Sequence, residues 1–165
     1  VDFDGNNVLA GLDFQHKIER KAYQASKEFA SGRELPAQTL KEFMDNKISS
    51  NAPALKTSTP SGIVRTSLRE ILPSFVTSHL EKALLKFDES LKGFVSDKAL
   101  LIAPETRTSA PVTILRDKET LESTGHVGLF PCGEGAGHAG GITSAAVDGV
   151  KIAMSLIKKE KGFQS

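Results

Sequence analysis

Seven of the chain's 14 glycines, Gly125, Gly128, Gly133, Gly135, Gly137, Gly140 and Gly141, fall within 17 residues near its C-terminal end. So dense a run cannot lie inside a helix or a strand, because glycine loses the most backbone freedom on folding and adds no side chain to a core. It predicts an irregular turn, and its flanks say of which kind: an apolar stretch over residues 127–130 precedes it and a long helical pattern follows. The core must come from the rest of the chain. With 165 residues and 17.7 kDa, a single domain of this size buries about 69% of its unfolded surface, enough for a core and against disorder.

Most of that remainder reads as helix. Phe14, Ile18, Ala22, Ala25 and Phe29 recur at helical spacing, with Gly32 placed as a C′ residue, so the pattern predicts a helix over residues 12–30. Leu40, Phe43 and Met44 predict a short helix after Pro36. Residues 46–62 are rich in Ser, Thr, Asn and Pro, which predicts a loop and the best candidate for a mobile segment. One turn of helix is expected at 67–72. After Pro73, the stripe Val76, Leu80, Ala83, Leu84, Phe87 and Leu91 predicts an amphipathic helix ended by Gly93. Up to Lys98 the chain reads as helical throughout. Short strands are then expected at 100–103, 112–115 and 127–130, and a final helix from Gly141, with Ile142, Ala145, Ala146, Val150, Ala153, Leu156 and Ile157 on a wide apolar face. The expected fold class is α+β.

The glycine run contains Gly135-Ala136-Gly137-His138-Ala139-Gly140, a match to GxGxxG, in which absent Cβ atoms let backbone N–H groups approach a phosphate at a helix N-terminus. A complete dinucleotide fingerprint needs a second parallel strand after the helix, ending near an acidic residue, and only the helix follows here. What the local sequence does predict is a glycine-lined turn with free N–H donors and a helix dipole aimed at one point, suited to an anion or an electron-rich carbonyl. The bland reading, a tight strand-to-helix turn with no ligand, accounts less well for seven glycines beside Glu134 and His138.

Composition removes other classes. Lys+Arg 21 against Asp+Glu 20 leaves a formal charge of +1, without the basic excess expected of a nucleic-acid or membrane-surface module. One cysteine, Cys132, allows no internal disulfide and no multi-cysteine metal site, and suits a reducing cytoplasm; the residue itself reads as small and buried. No HxxxH pair or spaced acid pair suggests a metal. No apolar run reaches the ~20 residues that span a bilayer. The start, Val1-Asp2-Phe3 running into a turn signal without an initiator Met, reads as a cut from inside a longer protein.

The stretch GLFPCGEGAGHAGGITSAAVDGVKIA resembles the C-terminal flavin motif of the uncharacterised FAD-dependent dehydrogenases, distant relatives of the glutathione-reductase-type flavoproteins. LAGLDFQHKIERKAY, LPAQTLKEFM, SLREILPSFVTSHLEKAL, KGFVSDKALL and PETRTSAPVTILRD resemble further blocks of that family, in order along the chain. The resemblance implies the C-terminal portion of a longer FAD-dependent oxidoreductase, whose N-terminal portion holds the nucleotide end of FAD. Residues 1–98 would then be a helical cap or substrate-side region. Residues 99–165 would complete an FAD/NAD(P)-binding fold. The implied partners are FAD, an unknown small-molecule substrate, NAD(P)H as electron donor and the missing portion of the same protein.

By the same resemblance, Gly133, Glu134, Gly135 and Gly137 line the cofactor side of the turn, with Glu134 toward the ribityl or pyrophosphate part of FAD. The Ala139, Gly140, Gly141 and Ile142 backbone would face the N1–C2=O edge of the flavin, where a helix N-terminus favours negative charge. His138 either contacts the flavin or packs and caps the helix. Arg107 meets flavin, a substrate carboxylate or Glu105, and Thr108 and Ser109 either offer hydroxyls nearby or serve the turn before Pro111. No catalytic residue is assigned. Two readings from other classes stay open: a non-enzymatic anion- or nucleotide-binding module, which must bind phosphate or ADP tightly by itself, and a purely structural domain whose apolar cut face pairs with the missing half or forms a homo-oligomer.

Overall fold

The computed structural model describes residues 3, 6–49, 54, 56–107 and 109–162. In chain order they form α1 (Ala10–Phe29), β1 (Leu35–Thr39), α2 (Leu40–Met44), β2 (Ile63–Arg65), α3 (Leu68–Ile71), α4 (Ser74–Ser90), β3 (Leu100–Ile102) and α5 (Ile142–Gly162). Helices around a small mixed sheet make an α+β fold. None of these helices is long and apolar enough to cross a membrane. The chain divides into two units, residues 15–105 and residues 1–14 with 106–165.

In the unit of residues 15–105, the sheet has the order β2-β1-β3, β1 running parallel to β2 and antiparallel to β3. Two of its strands lie where the sequence reads as helical throughout, and that expectation is corrected here. β1 escapes sequence patterns because it contains Pro36, a residue that argues against an inner strand. Here Leu35 N–H donates to Gly62 O and Ala37 O accepts from Thr66 N–H, while Pro36 O accepts from Ala103 N–H. Pro36 thus faces Ala103, one residue past the end of β3, where the missing N–H forfeits only the reciprocal bond of the last pair of the ladder. β2, with three residues, is too short for a period to register.

The helices confirm their expected positions to within a few residues, but their buried lines differ. In α1 the buried line is Ile18, Ala22 and Ser26, while Phe29 is exposed; in α4 it is Thr77 and Leu84, with Phe87 and Leu91 exposed. The centre of the unit is β1 itself, with Phe43 and Leu68 fully buried beside it. Gln38, buried in the sheet, accepts a hydrogen bond from Leu68 N–H at 2.7 Å and so fixes the start of α3. Arg69 stacks over the Phe43 ring at 4.5 Å, donates to Phe43 O and pairs with Glu81 at 3.1 Å. The described part of the expected 46–62 loop holds neither helix nor strand; residues 50–53 and 55 lie outside the described residues.

α2 begins with a reciprocal cap. Thr39 Oγ1 accepts from Glu42 N–H at 3.1 Å and Glu42 Oε2 accepts from Thr39 N–H at 2.9 Å, both buried. Because this cap also ends β1, Thr39→Ala is expected to cost about 1–2 kcal/mol and to lower Tm by roughly 2–8 °C, with Thr39→Ser restoring most of it. Thermal unfolding followed by circular dichroism checks this; an alanine variant that melts with the wild type would remove the cap from the account.

The strands expected at 112–115 and 127–130 are absent. That segment is held as loop, by one isolated antiparallel bridge, Arg116 to Ser123, and by bonds to α5 and the glycine turn. Apolar runs of four residues carry a strand only if a neighbouring strand accepts them, and among the described residues of their own unit there is none.

Candidate functional site

The glycine turn leads directly into α5. Gly133 and Gly137 both have positive φ, 69° and 77°. Between them the chain closes on itself: Gly137 N–H donates to Glu134 O at 2.9 Å and His138 N–H to Gly133 O at 3.0 Å. The 112–115 segment lines one side. Ile114 N–H donates to Ala136 O at 3.0 Å, Thr113 Oγ1 to Gly137 O at 3.4 Å, and a Cβ on Gly137 would lie 2.5 Å from Val112 O.

Two residues that the sequence reading passed over hold this turn on the helix. Asp148, buried on α5, makes a two-pronged pair with Arg116: NH2 to Oδ1 at 2.7 Å and NH1 to Oδ2 at 2.9 Å. Arg116 NH1 also donates to Pro131 O at 2.7 Å, and Gly133 N–H donates to Asp148 Oδ2 at 2.9 Å. One carboxylate therefore bolts both the entry to the glycine turn and the 116 segment to the helix. The Arg116 hydrogen bonds, with the Gly133 N–H, hold the Asp148 carboxyl well below the usual carboxylate range, and the same pair raises the Arg116 guanidinium. A signal existed in the sequence, since Asp148 interrupts the apolar pattern of α5, but its partner lies 32 residues away. Farther along α5, Lys159 pairs with Glu122 at 2.7 Å and Ser155 Oγ donates to Thr120 O, tying down the loop.

The glycines fall into two kinds. At Gly133 and Gly137 the backbone conformation requires glycine, and at Gly137 close contact does too. At Gly135 and Gly140 φ is ordinary and a Cβ would meet nothing within 4 Å. Among the described residues neither a left-handed φ nor a close contact calls for glycine at these two positions, so the space they leave suits something from outside. Gly135 is exposed within the turn and Gly140 is exposed two residues before α5, whose Ile142 and Thr143 amides have no intrahelical acceptor. Gly141, by contrast, donates its N–H to Ser144 Oγ at 3.1 Å, closing the helix start locally.

The other expected site residues are placed as follows. Glu134 is half-buried at the turn, and among the described residues its carboxylate accepts no hydrogen bond. His138 Nε2 lies 3.0 Å from Ile114 O, which makes Nε2 the protonated donor and fixes the ring against the 112–115 segment. Ala139 is half-buried between His138 and exposed Gly140. Arg107 is exposed near the start of the 106–165 stretch. Thr108 lies outside the described residues. Cys132 is exposed, not buried as expected; its neighbour Pro131 takes the inner position, accepting from Arg116.

A model of the family described as FAD-dependent protein, C-terminal domain-like, matches residues 1–108. The chain belongs to that family. This FAD-dependent C-terminal domain is also 39% identical, over 158 residues, to an uncharacterized protein of Clostridium beijerinckii. The similarity takes in 96% of this chain but 29% of the relative, so the chain spans less than a third of the length of the protein it matches. The family match ends before the glycine turn. It covers the helical and sheet region, and the turn follows that region in the same chain.

Proposed function

We propose that this chain is the C-terminal part of a longer FAD-dependent oxidoreductase and that its glycine turn and the start of α5 face the ribityl and isoalloxazine part of the cofactor. The observation that carries the cofactor contact is the pair of glycines, Gly135 in the turn and Gly140 two residues before α5, where φ is not positive and an added Cβ meets no described atom within 4 Å. Family membership and the limited span of the relative support the rest. Bound FAD would supply the hydride chemistry. The residues of this chain hold and orient it: Glu134 offers a carboxylate acceptor to ribityl hydroxyls, Ala139 to Gly141 allow close backbone approach, and the Ile142 and Thr143 amides with the α5 dipole favour negative charge there. Arg107 is assigned to the same site as a cation for flavin or a substrate carboxylate. A small-molecule substrate, NAD(P)H as donor and a division into a 1–98 substrate-side region and a 99–165 cofactor region belong to this reading through the family resemblance, and a cytoplasmic setting through the single cysteine.

In the full-length polypeptide that carries this segment, FAD is expected to copurify at one equivalent. Gly140→Val should weaken FAD binding by more than about tenfold while leaving the far-ultraviolet spectrum unchanged, because a Cβ added there meets no described atom within 4 Å. Gly125→Val, equally unhindered but at the far end of the run, is the control. Undiminished FAD in the Gly140 variant would sink the proposed contact. Tight phosphate or ADP binding by the 165-residue chain in calorimetry would favour the anion-module reading instead.

A further inference from the structure

The helix that leaves the glycine turn has two opposite sides of different character. One side, with Asp148, Ile152 and Ser155, is used within its own unit, through the pair with Arg116, burial, and the bond to Thr120. The other carries Ile142, Ala146, Val150, Ala153, Met154 and Ile157 at successive turns, a stripe about 22 Å long at the rise of an α-helix. All six are exposed; Ile142 shows 94% of its surface, Val150 60%, Met154 57% and Ile157 54%. A contiguous apolar stripe of this length on an exposed helix side marks a contact.

We infer that this stripe is the face by which α5 packs against the portion of the parent polypeptide absent from this chain. The larger part of the Clostridium relative lies outside the matched segment, so ample chain exists to cover it. Ala146, Gly149 and Ala153, without bulk on the same side, let an apolar partner element come close to the helix backbone. The inference shares with the functional reading only the premise of a longer parent polypeptide. It needs no flavin at the turn.

Met154 provides a wild-type probe, since thioether oxidation follows exposure. Peroxide treatment with mass-spectrometric readout should oxidise Met154 in the 165-residue chain, diluted until sedimentation shows a monomer, about tenfold faster than in the full-length polypeptide, with half-buried Met44 as internal reference. Val150→Asp should lower Tm of the full-length polypeptide by more than about 5 °C yet leave that of the 165-residue chain unchanged; Lys151→Asp, the same carboxylate one residue away, should change neither. Equal oxidation rates at Met154 in the two proteins would overturn the inference. So would protection that appears only in a dimer of the full-length polypeptide and vanishes on dilution, because a second copy would then be the occupant. Protection of Met154 with no FAD bound would uphold this face while the cofactor reading failed, and FAD binding with Met154 exposed would do the reverse.

Discussion

Gly137→Ala is expected to destabilise the glycine-turn unit by about 2–5 kcal/mol, combining the cost of a left-handed conformation with that of overpacking. The added Cβ would lie 2.5 Å from Val112 O, 2.6 Å from Thr113 Oγ1 and 2.9 Å from Thr113 Cα. Two of these three atoms are backbone and cannot rotate away. The 112–115 segment would have to move, and with it the Ile114 N–H bond to Ala136 O and the His138 contact to Ile114 O. In urea the midpoint should fall by about 1–2.5 M, taking a denaturant slope near 2 kcal/mol/M. Gly135→Ala, two residues away in ordinary backbone and open space, should unfold with the wild type. Equal behaviour of the two variants would mean that the turn does not pack on the 112–115 segment.

The second large effect belongs to Asp148. Removing it leaves Arg116 without its carboxylate and Gly133 N–H without its acceptor, and Asp148→Ala is expected to cost about 3–4 kcal/mol, toward the low end for a buried pair. The low end applies because 12% and 11% of the two side chains stay in solvent. Replacing both partners, Arg116→Met with Asp148→Leu, should recover much of the loss, since no charge is then left uncompensated. The pair also sets a pH dependence. The carboxyl is held below its ordinary value by Arg116 and by Gly133 N–H, so its contribution is fully present above about pH 4 and fades as the pH falls through the lowered value. Glu122 and Asp117 in the same unit shift in the same direction. Acid unfolding should therefore be less steep in Asp148→Asn than in the wild type, and the stability gap between the two should close below pH 4. A gap constant down to pH 2 would separate Asp148 from the acid transition.

Local reading succeeds where the signal acts over a few residues. Leu40, Phe43 and Met44 predict a short helix after Pro36, and α2 forms there. The 3.6-residue period placed α1, α4 and α5. It also misjudged which side is covered, as Phe29, Phe87 and Leu91 show, because a period reports that a helix has an apolar side and says nothing of which neighbours are there to cover it. Pro36 hid β1 for a related reason: whether proline fits a strand depends on which partner faces its nitrogen, a fact held by Ala103, 67 residues away in sequence.

For the site, the sequence alone determined that a glycine turn opens onto a long helix, because glycine density and helical spacing act within a few residues of each other. It equally determined the family resemblance that points to FAD. Only the tertiary structure decided which glycines the turn itself requires and which leave open space, and only it brought Arg116 to Asp148 and Pro131. The difference is one of range. Backbone freedom and i, i+4 spacing are local properties that composition records directly, whereas an ion pair across 32 residues or a carbonyl pressed against a missing Cβ exists only after the intervening chain has folded.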